Sequence, residues 1–285
     1  MSTAVAIADP PVPAPAVRWR DPLPGFGLTL GWTLTWLGLI VLLPLAALVV
    51  RASDLGGDGW AAILASQRVQ RALWLSFGSA LLAATVATVV GALVAWVLVR
   101  YRFPGRRLLD AMVDLPFALP TAVAGIALTA LYSGQGWIGR HLEPLGIQVA
   151  QAPLGIVLAL VFIGLPFTVR TVQPLLETTT RELEEAAATL GASRPTILRR
   201  VVLPPLLPAL LTGFSLAFAR GVGEYGSVIF IAGNIPFVSE IAPLLIVIKL
   251  EEFDYAGATG VAVLMLAISF VLLLAISGLQ KWVGK

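Results

Sequence analysis

The sequence predicts an all-α integral membrane protein with six transmembrane helices and a short periplasmic or re-entrant helix before the last span. Three observations carry this. Of 285 residues, 58% are hydrophobic and 12% charged, with mean hydropathy +0.91, far more apolar than an ordinary soluble domain. The apolar residues fall in uncharged runs long enough to cross a bilayer. The basic residues gather at the ends of those runs, as membrane orientation requires.

The elements follow in chain order. Residues 1–24 hold Pro10, Pro11, Pro13, Pro15, Pro22 and Pro24 and few large apolar side chains, the composition of a disordered cytoplasmic tail. Residues 25–285 are expected to form the transmembrane domain. Its first run, Leu28 to Val50, reaches about 34 Å as a helix at about 1.5 Å per residue, enough for the roughly 30 Å hydrocarbon core. It is too long for a signal-peptide core and no small-residue cleavage site follows, so it is expected to stay as an anchor. Further spans are expected over 72–99, 111–132, 153–176, 206–232 and 255–279. The run Ile241 to Leu250 reaches only about 15 Å as a helix, half the core, and is expected to lie at the interface or re-enter. Pro44, Pro116, Pro120, Pro166 and Pro174 interrupt spans. Each removes a backbone donor, so each is either a packing kink or, as at Pro120, a hinge or wall of a pathway.

Charge sets the orientation. Arg18, Arg20, Arg100, Arg102, Arg106, Arg107, Arg181, Arg194, Arg199, Arg200, Lys281 and Lys285 fall on one side of this scheme. Only Arg51, Arg68, Arg71, Arg140 and Lys249 fall on the other. The positive-inside rule then puts both termini and the Glu185 loop in the cytoplasm.

Several function classes are excluded. With no cysteine and one histidine, His141, the chain lacks ligands for a haem, an iron–sulfur cluster or a zinc site. The net charge of +3 reflects span-end arginines rather than a nucleic-acid surface. An intramembrane enzyme needs a nucleophile and base at depth, yet His141 is in an external loop and the lysines lie near span ends. No phosphate-cradling loop is expected: the Gly-Lys pair is Gly284-Lys285, with no Ser or Thr after it and no glycine five residues before it. Gly221-Val222-Gly223-Glu224-Tyr225-Gly226 fits G-x-G-x-x-G, but it follows no strand, so these glycines serve close helix packing or local unwinding.

Between the fourth and fifth runs lies a polar helix pair. Thr179 and Glu182 are spaced as a capping box, and Leu183, Ala186, Ala187 and Leu190 recur on one helical face. Gly191 suits a left-handed helix end, Ser193 can cap the next helix, and Pro195 sits in its first turn. Leu203-Pro204-Pro205 is expected to end that second helix. Composition alone leaves open a helix lying against the membrane. The spacing over Glu185 to Pro204, with Glu-Ala-Ala, Gly191, then Val201, Leu203 and Pro204, resembles the coupling loop of ATP-binding-cassette importer permeases; Val201 replaces the usual isoleucine. The resemblance implies a type I ABC importer permease fold. It also implies that residues 177–205, through Glu185, Ala186, Ala187, Gly191, Leu203 and Pro204, sit in a groove of a separate ATPase subunit and pass on nucleotide-driven motion. ATP and magnesium would be used by that partner, with no cofactor on this chain and no catalytic or metal-binding residue. Small side chains fit a helix that must seat closely in a groove. A passive channel would have no use for such a loop.

Charges within the spans are the candidate pathway residues. Arg220 and Glu224 share a helical face four residues apart, and a charge at bilayer depth costs at least about 2.5–3.5 kcal/mol. They are either an internal ion pair that fixes packing or a pair in which Glu224 sets Arg220 to neutralise a passing anion. Arg170 either joins the route or snorkels to the interface. Asp114 is expected to be structural, with Asp110, Arg106 and Arg107 within helical reach.

Outside the coupling loop, residues 115–125, 136–139, 221–226, 232–236, 240–246 and 250–258 resemble the T-type (U-type) permease subunits of bacterial sulfate/thiosulfate importers. The likeness runs from about Pro22 to the C-terminus. It implies a W-type permease as heterodimer partner, two ATPase subunits, a periplasmic sulfate- or thiosulfate-binding protein, and residence in the bacterial inner membrane. Residue spacing does not itself separate sulfate from molybdate or tungstate, so a permease for another oxyanion stays open.

Overall fold

The computed structural model describes residues 25–178 and 181–283. The proline-rich tail and the capping residue Thr179 lie outside the described residues, as do Gly284 and Lys285. The chain divides into two compact units, Met1–Leu48 and Val49–Lys285. All regular structure among the described residues is helical.

The first unit holds most of helix α1 (Phe26–Ser53). The bend expected at Pro44 is taken up by a π turn over Gly38–Leu42, where the Leu43 N–H bonds to Gly38 O. The wider turn reassigns carbonyls just ahead of a residue with no N–H, so the helix continues.

The second unit continues with α2 (Gly56–Ala65), α3 (Gln67–Arg100), α4 (Arg106–Val113), α5 (Leu115–Ala118), α6 (Thr121–Tyr132) and α7 (Gly139–Leu142). Then come α8 (Pro153–Thr178), α9 (Arg181–Thr189), α10 (Arg194–Val222), α11 (Val228–Ile231), α12 (Ala242–Glu251) and α13 (Tyr255–Val283). Among the described residues α1, α3, α8, α10 and α13 are long and apolar enough to cross a membrane.

The expected span over 111–132 is broken into α4, α5 and α6. Pro116 sits in the first turn of α5, and Leu119 before Pro120 is forced to an extended conformation (φ −86, ψ 135), as a residue ahead of proline tends to be. At 12 residues α6 covers only about 18 Å.

The fifth span is also corrected. Leu203-Pro204-Pro205 does not end a helix: a π turn over Leu198–Val202, with Leu203 N–H to Leu198 O, carries the chain through both prolines as one helix from Arg194 to Val222. The span therefore starts well before the expected Leu206 and stops ten residues short of Ala232, at the Gly223–Gly226 break. The short helix before the last span is present as α12, with Ala242, Leu244 and Leu245 buried.

Helices α3, α8 and α10 pack on one another along a stripe of small residues, Ser76, Ala80, Ala83, Ala84, Ala87, Gly91 and Ala95 on α3. Glycine makes the approach possible. A Cβ on Gly91 would lie 2.8 Å from Thr168 Cβ, and one on Gly213 would lie 2.8 Å from Thr168 Cα. In lipid, where apolar surface gains little from leaving the solvent, this close packing is what holds helices together. One apolar cluster gathers Leu98, Val169, Val172, Leu176, Val202 and Leu206 near one end of the trio. Another joins Ile63, Val69 and Ala72 to Ala242, Leu245 and Val261 near the other.

Candidate functional site: an exposed helix and the charges behind it

Helix α9 stands on a connection between α8 and α10. Its C-terminus closes as a Schellman motif: Ala192 N–H bonds to Ala187 O and Gly191 N–H to Ala188 O, both at 3.0 Å. Gly191 takes φ +81, where a side chain would be strained. Ser193 precedes α10, its hydroxyl 2.9 Å from that of Thr196 rather than on a backbone N–H. Glu185 and Ala186 are exposed and Ala187 half-buried. The apolar face read from Leu183 and Leu190 is uncovered by this chain, with Leu190 88% exposed. Leu203 and Pro204, also exposed, lie on α10 past its π turn.

One contact here was not anticipated. Glu184 pairs with Arg100 at the end of α3, Oε1 to Nη2 2.6 Å, and the Arg100 guanidinium lies 5.4 Å over the Trp96 ring. The side chains are only 10% and 25% exposed. At the opposite end of α3, Arg68 grips Glu240 with two hydrogen bonds of 2.8 and 2.7 Å, and the Glu240 side chain is 1% exposed. Partners 84 and 172 residues apart leave no trace in local spacing.

Arg220 and Glu224 form the expected ion pair at 2.5 Å. Glu224 is 2% exposed and its Oε1 also accepts from Ser227 N–H (2.9 Å) and Ser227 Oγ (3.0 Å). Arg220 is 38% exposed and sits in the last turn of α10, where a cation suits the helix C-terminus. The Gly221–Gly226 stretch does both jobs read from it. A Cβ on Gly221 would lie 3.6 Å from Ala80 Cβ, and the chain unwinds after Val222 before turning into α11, with Gly226 pressed on Thr121. The cleft bordered by Ser76, Leu160, Val222, Val228 and Glu224 measures about 10 Å³, room for no more than one water.

The Arg170 guanidinium is fully engaged by this chain. Its Nε and Nη2 bind Asp114 (2.9 and 2.6 Å), Nη1 binds Asp110 and Gln173 (both 2.7 Å), and Nη2 also meets Asp110 O at 2.9 Å. Asp114 is thus held by Arg170 rather than by the expected Arg106 or Arg107. The bonds tie α4 and α8 together, and Pro120 immediately precedes α6. Between α12 and α13, Lys249 Nζ donates to Asp254 Oδ2 at 2.7 Å and Gly257 N–H to Oδ1 at 2.8 Å. The lysine, then the Gly257 amide, hold the Asp254 carboxyl below its ordinary range.

Residues 87–285 match the family described as binding-protein-dependent transport system inner membrane component. The probable sulfate transport system permease protein cysT of Nephroselmis olivacea is 52% identical over 251 residues, covering 87% of this chain and 88% of that one. The sulfate transport system permease protein CysT of Escherichia coli (strain K12) is 48% identical over 270 residues, covering 95% and 98%. Among solved structures, a bacterial ABC transporter involved in the import of the acidic polysaccharide alginate aligns with TM-score 0.75 at 15% identity, over 91% of this chain and 96% of that one. The fold is accordingly that of an ABC importer permease, a transport subunit rather than an enzyme, and the chain belongs to the family of inner-membrane components of binding-protein-dependent transport systems.

Proposed function

We propose that this chain is the T-type membrane subunit of an ATP-driven importer of sulfate and thiosulfate. It would work in the inner membrane beside a W-type permease, two ATPase subunits that use ATP and magnesium, and a periplasmic sulfate- or thiosulfate-binding protein. The observation that carries the reading is the outward-facing α9 with its exposed Glu185, Ala186, Leu183 and Leu190, in a chain about half identical to sulfate permeases over nearly its whole length. A helix with an uncovered apolar face at the end of a membrane bundle fits a groove on a soluble motor. We read Glu185, Ala186, Ala187 and Gly191 as its contact face, with Leu203 and Pro204 setting the angle of α10.

The chain would cross the membrane six times, the third crossing being the broken run α4–α6, with residues 177–205 and both termini in the cytoplasm. The 34-residue α3 separates Arg100 and α9 from Arg68 and α12 by about 50 Å, which supports opposite membrane faces for the coupling loop and the α12 segment.

The cleft at Glu224 is far too small for a tetrahedral oxyanion, so the route would run along this chain's surface against the partner permease. Half-exposed Arg220 would line it, with Glu224 as its anchor. ATP binding would draw the coupling helices together and open the route outward, and hydrolysis would reset it.

The test is reconstitution in proteoliposomes with the cognate partner permease, ATPase and binding protein, followed by labelled sulfate uptake with and without ATP. ATP-dependent uptake, competed by thiosulfate, is expected. If sulfate and thiosulfate both fail while molybdate or tungstate enters, the substrate assignment falls; if no anion enters, the importer reading falls with it.

A further inference from the structure

We infer that α3 is a transmission rod, gripped at each end by an arginine–glutamate clamp, that carries displacement of α9 to the opposite mouth of the bundle; this rests on the importer reading above. At one end Arg100, stacked on Trp96, holds Glu184 in the middle of α9. At the other, Arg68 holds Glu240 in two-point geometry. Two turns further along α3, Ser76 Oγ accepts the Ala242 N–H at 2.8 Å, a bond that fixes the first residue of α12.

The clamps have the properties of mechanical joints. Each joins one end of an unbroken helix to a neighbouring segment, α9 at one end and the lead-in to α12 at the other. The bidentate Arg68–Glu240 pair resists rotation as well as separation, Arg100 holds Glu184 through Nη2 while lying over Trp96, and partial burial spares both pairs the screening that weakens exposed ones.

Between the clamps α3 contains no proline and no π turn, unlike α1 and α10. It therefore lacks the flexures by which those helices can absorb a push. Its small-residue stripe seats it closely against α8, with Thr168 over Gly91, which keeps it straight along its length. Glu184 precedes Glu185, so one residue faces the body of the permease while its neighbour faces outward from α9. The chain thus connects outer contact and inner rod through adjacent positions of one turn.

Spatial continuity alone does not establish coupling, so the test has to read an effect at the far end. The chain has no cysteine, and Val238, 51% exposed and two residues from Glu240, can carry a single thiol as Val238→Cys. In the reconstituted importer, labelling of that thiol by a membrane-impermeant maleimide is compared with and without ATP and vanadate. Sulfate uptake per ATP hydrolysed is measured alongside.

With the native clamps, nucleotide changes the labelling rate. Glu184→Gln keeps ATP hydrolysis within twofold, lowers uptake per ATP at least fivefold, and abolishes the nucleotide response at residue 238. Exchanging the charges, Arg100→Glu with Glu184→Arg, restores uptake per ATP to within twofold. Arg68→Gln removes the response from the other end with hydrolysis unchanged.

The rod is overturned if Glu184→Gln retains the distant response, if it loses uptake and hydrolysis in equal proportion as a motor-attachment residue would, or if the charge exchange restores nothing. Should native importer show no ATP-dependent uptake at all, the importer reading itself fails, an outcome separate from these.

Discussion

Replacing Arg220 by alanine tests whether the pair at the end of α10 is architecture, route, or both. Glu224 is 2% exposed, and without Arg220 its charge keeps only the two Ser227 donors. Breaking a buried pair from one side costs about 3–5 kcal/mol, because the remaining charge is uncompensated. Arg220 is 38% exposed, so solvent and headgroups already screen part of the attraction and the lower end, about 3 kcal/mol, applies. At about 2–4 °C per kcal/mol for a domain of roughly this size, the melting temperature in detergent should fall by about 6–12 °C. Adding Glu224→Gln removes the stranded charge and keeps an oxygen for Ser227, so the double variant should regain more than half of that loss. The assay is fluorescence-detected size-exclusion chromatography after heating, on the isolated subunit and the assembled importer. A single variant that melts within 2 °C of the parent, or a double variant no more stable than the single, refutes the reasoning (about 1 kcal/mol resolution). Once the double variant is stable, its transport isolates the pathway role. Normal sulfate uptake by it shows Arg220 to be structural alone.

Three other outcomes follow from the geometry. Gly213→Ala drives a Cβ to 2.8 Å from Thr168 Cα and should destabilise by about 1–3 kcal/mol, whereas Gly221→Ala, with its nearest neighbour at 3.6 Å, should be neutral or slightly stabilising; thermal melts of the pair check this. Gly191→Val forces a β-branched residue to φ +81 at about 1–2 kcal/mol, so the α9 turn should loosen and ATP-driven uptake fall with membrane insertion intact. Asp254 has its carboxyl pKa lowered by Lys249 and then by Gly257 N–H, so its stabilising contribution is complete above the unfolded value of about 3.9 and is lost as pH falls through the lower folded value. Asp254→Asn should therefore melt lower than the parent at pH 6 and converge with it as the pH is taken below about 3.9.

The long apolar helices were legible because length and hydropathy decide them with little help from context. What moved were the boundaries at prolines. Pro120 cuts where Leu119 is driven extended, while Pro204 and Pro205 do not cut, because a π turn five residues wide prepares the backbone ahead of them. Hydrophobic period carries no sign of a π turn, so one continuous helix from Arg194 to Val222 was read as a short helix ending at Leu203-Pro204-Pro205 and a separate span from Leu206. Within the candidate site, Gly191 and the Arg220–Glu224 pair were readable since both depend on neighbours in sequence. Arg100–Glu184, Arg68–Glu240 and Arg170–Asp114 were not. Each depends on which helices lie side by side, a choice made by where glycine and alanine fall on α3, α8 and α10.

The uncovered leucines of α9 have a bearing on how the cell counts its subunits. If α9 seats on a motor as proposed, a copy inserted without that motor holds Leu183 and Leu190 uncovered on a short lever, the kind of greasy handle that chaperones and membrane proteases grasp. Supply of the ATPase would then decide how many copies survive, and stoichiometry would be enforced by degradation of the surplus rather than by matched synthesis.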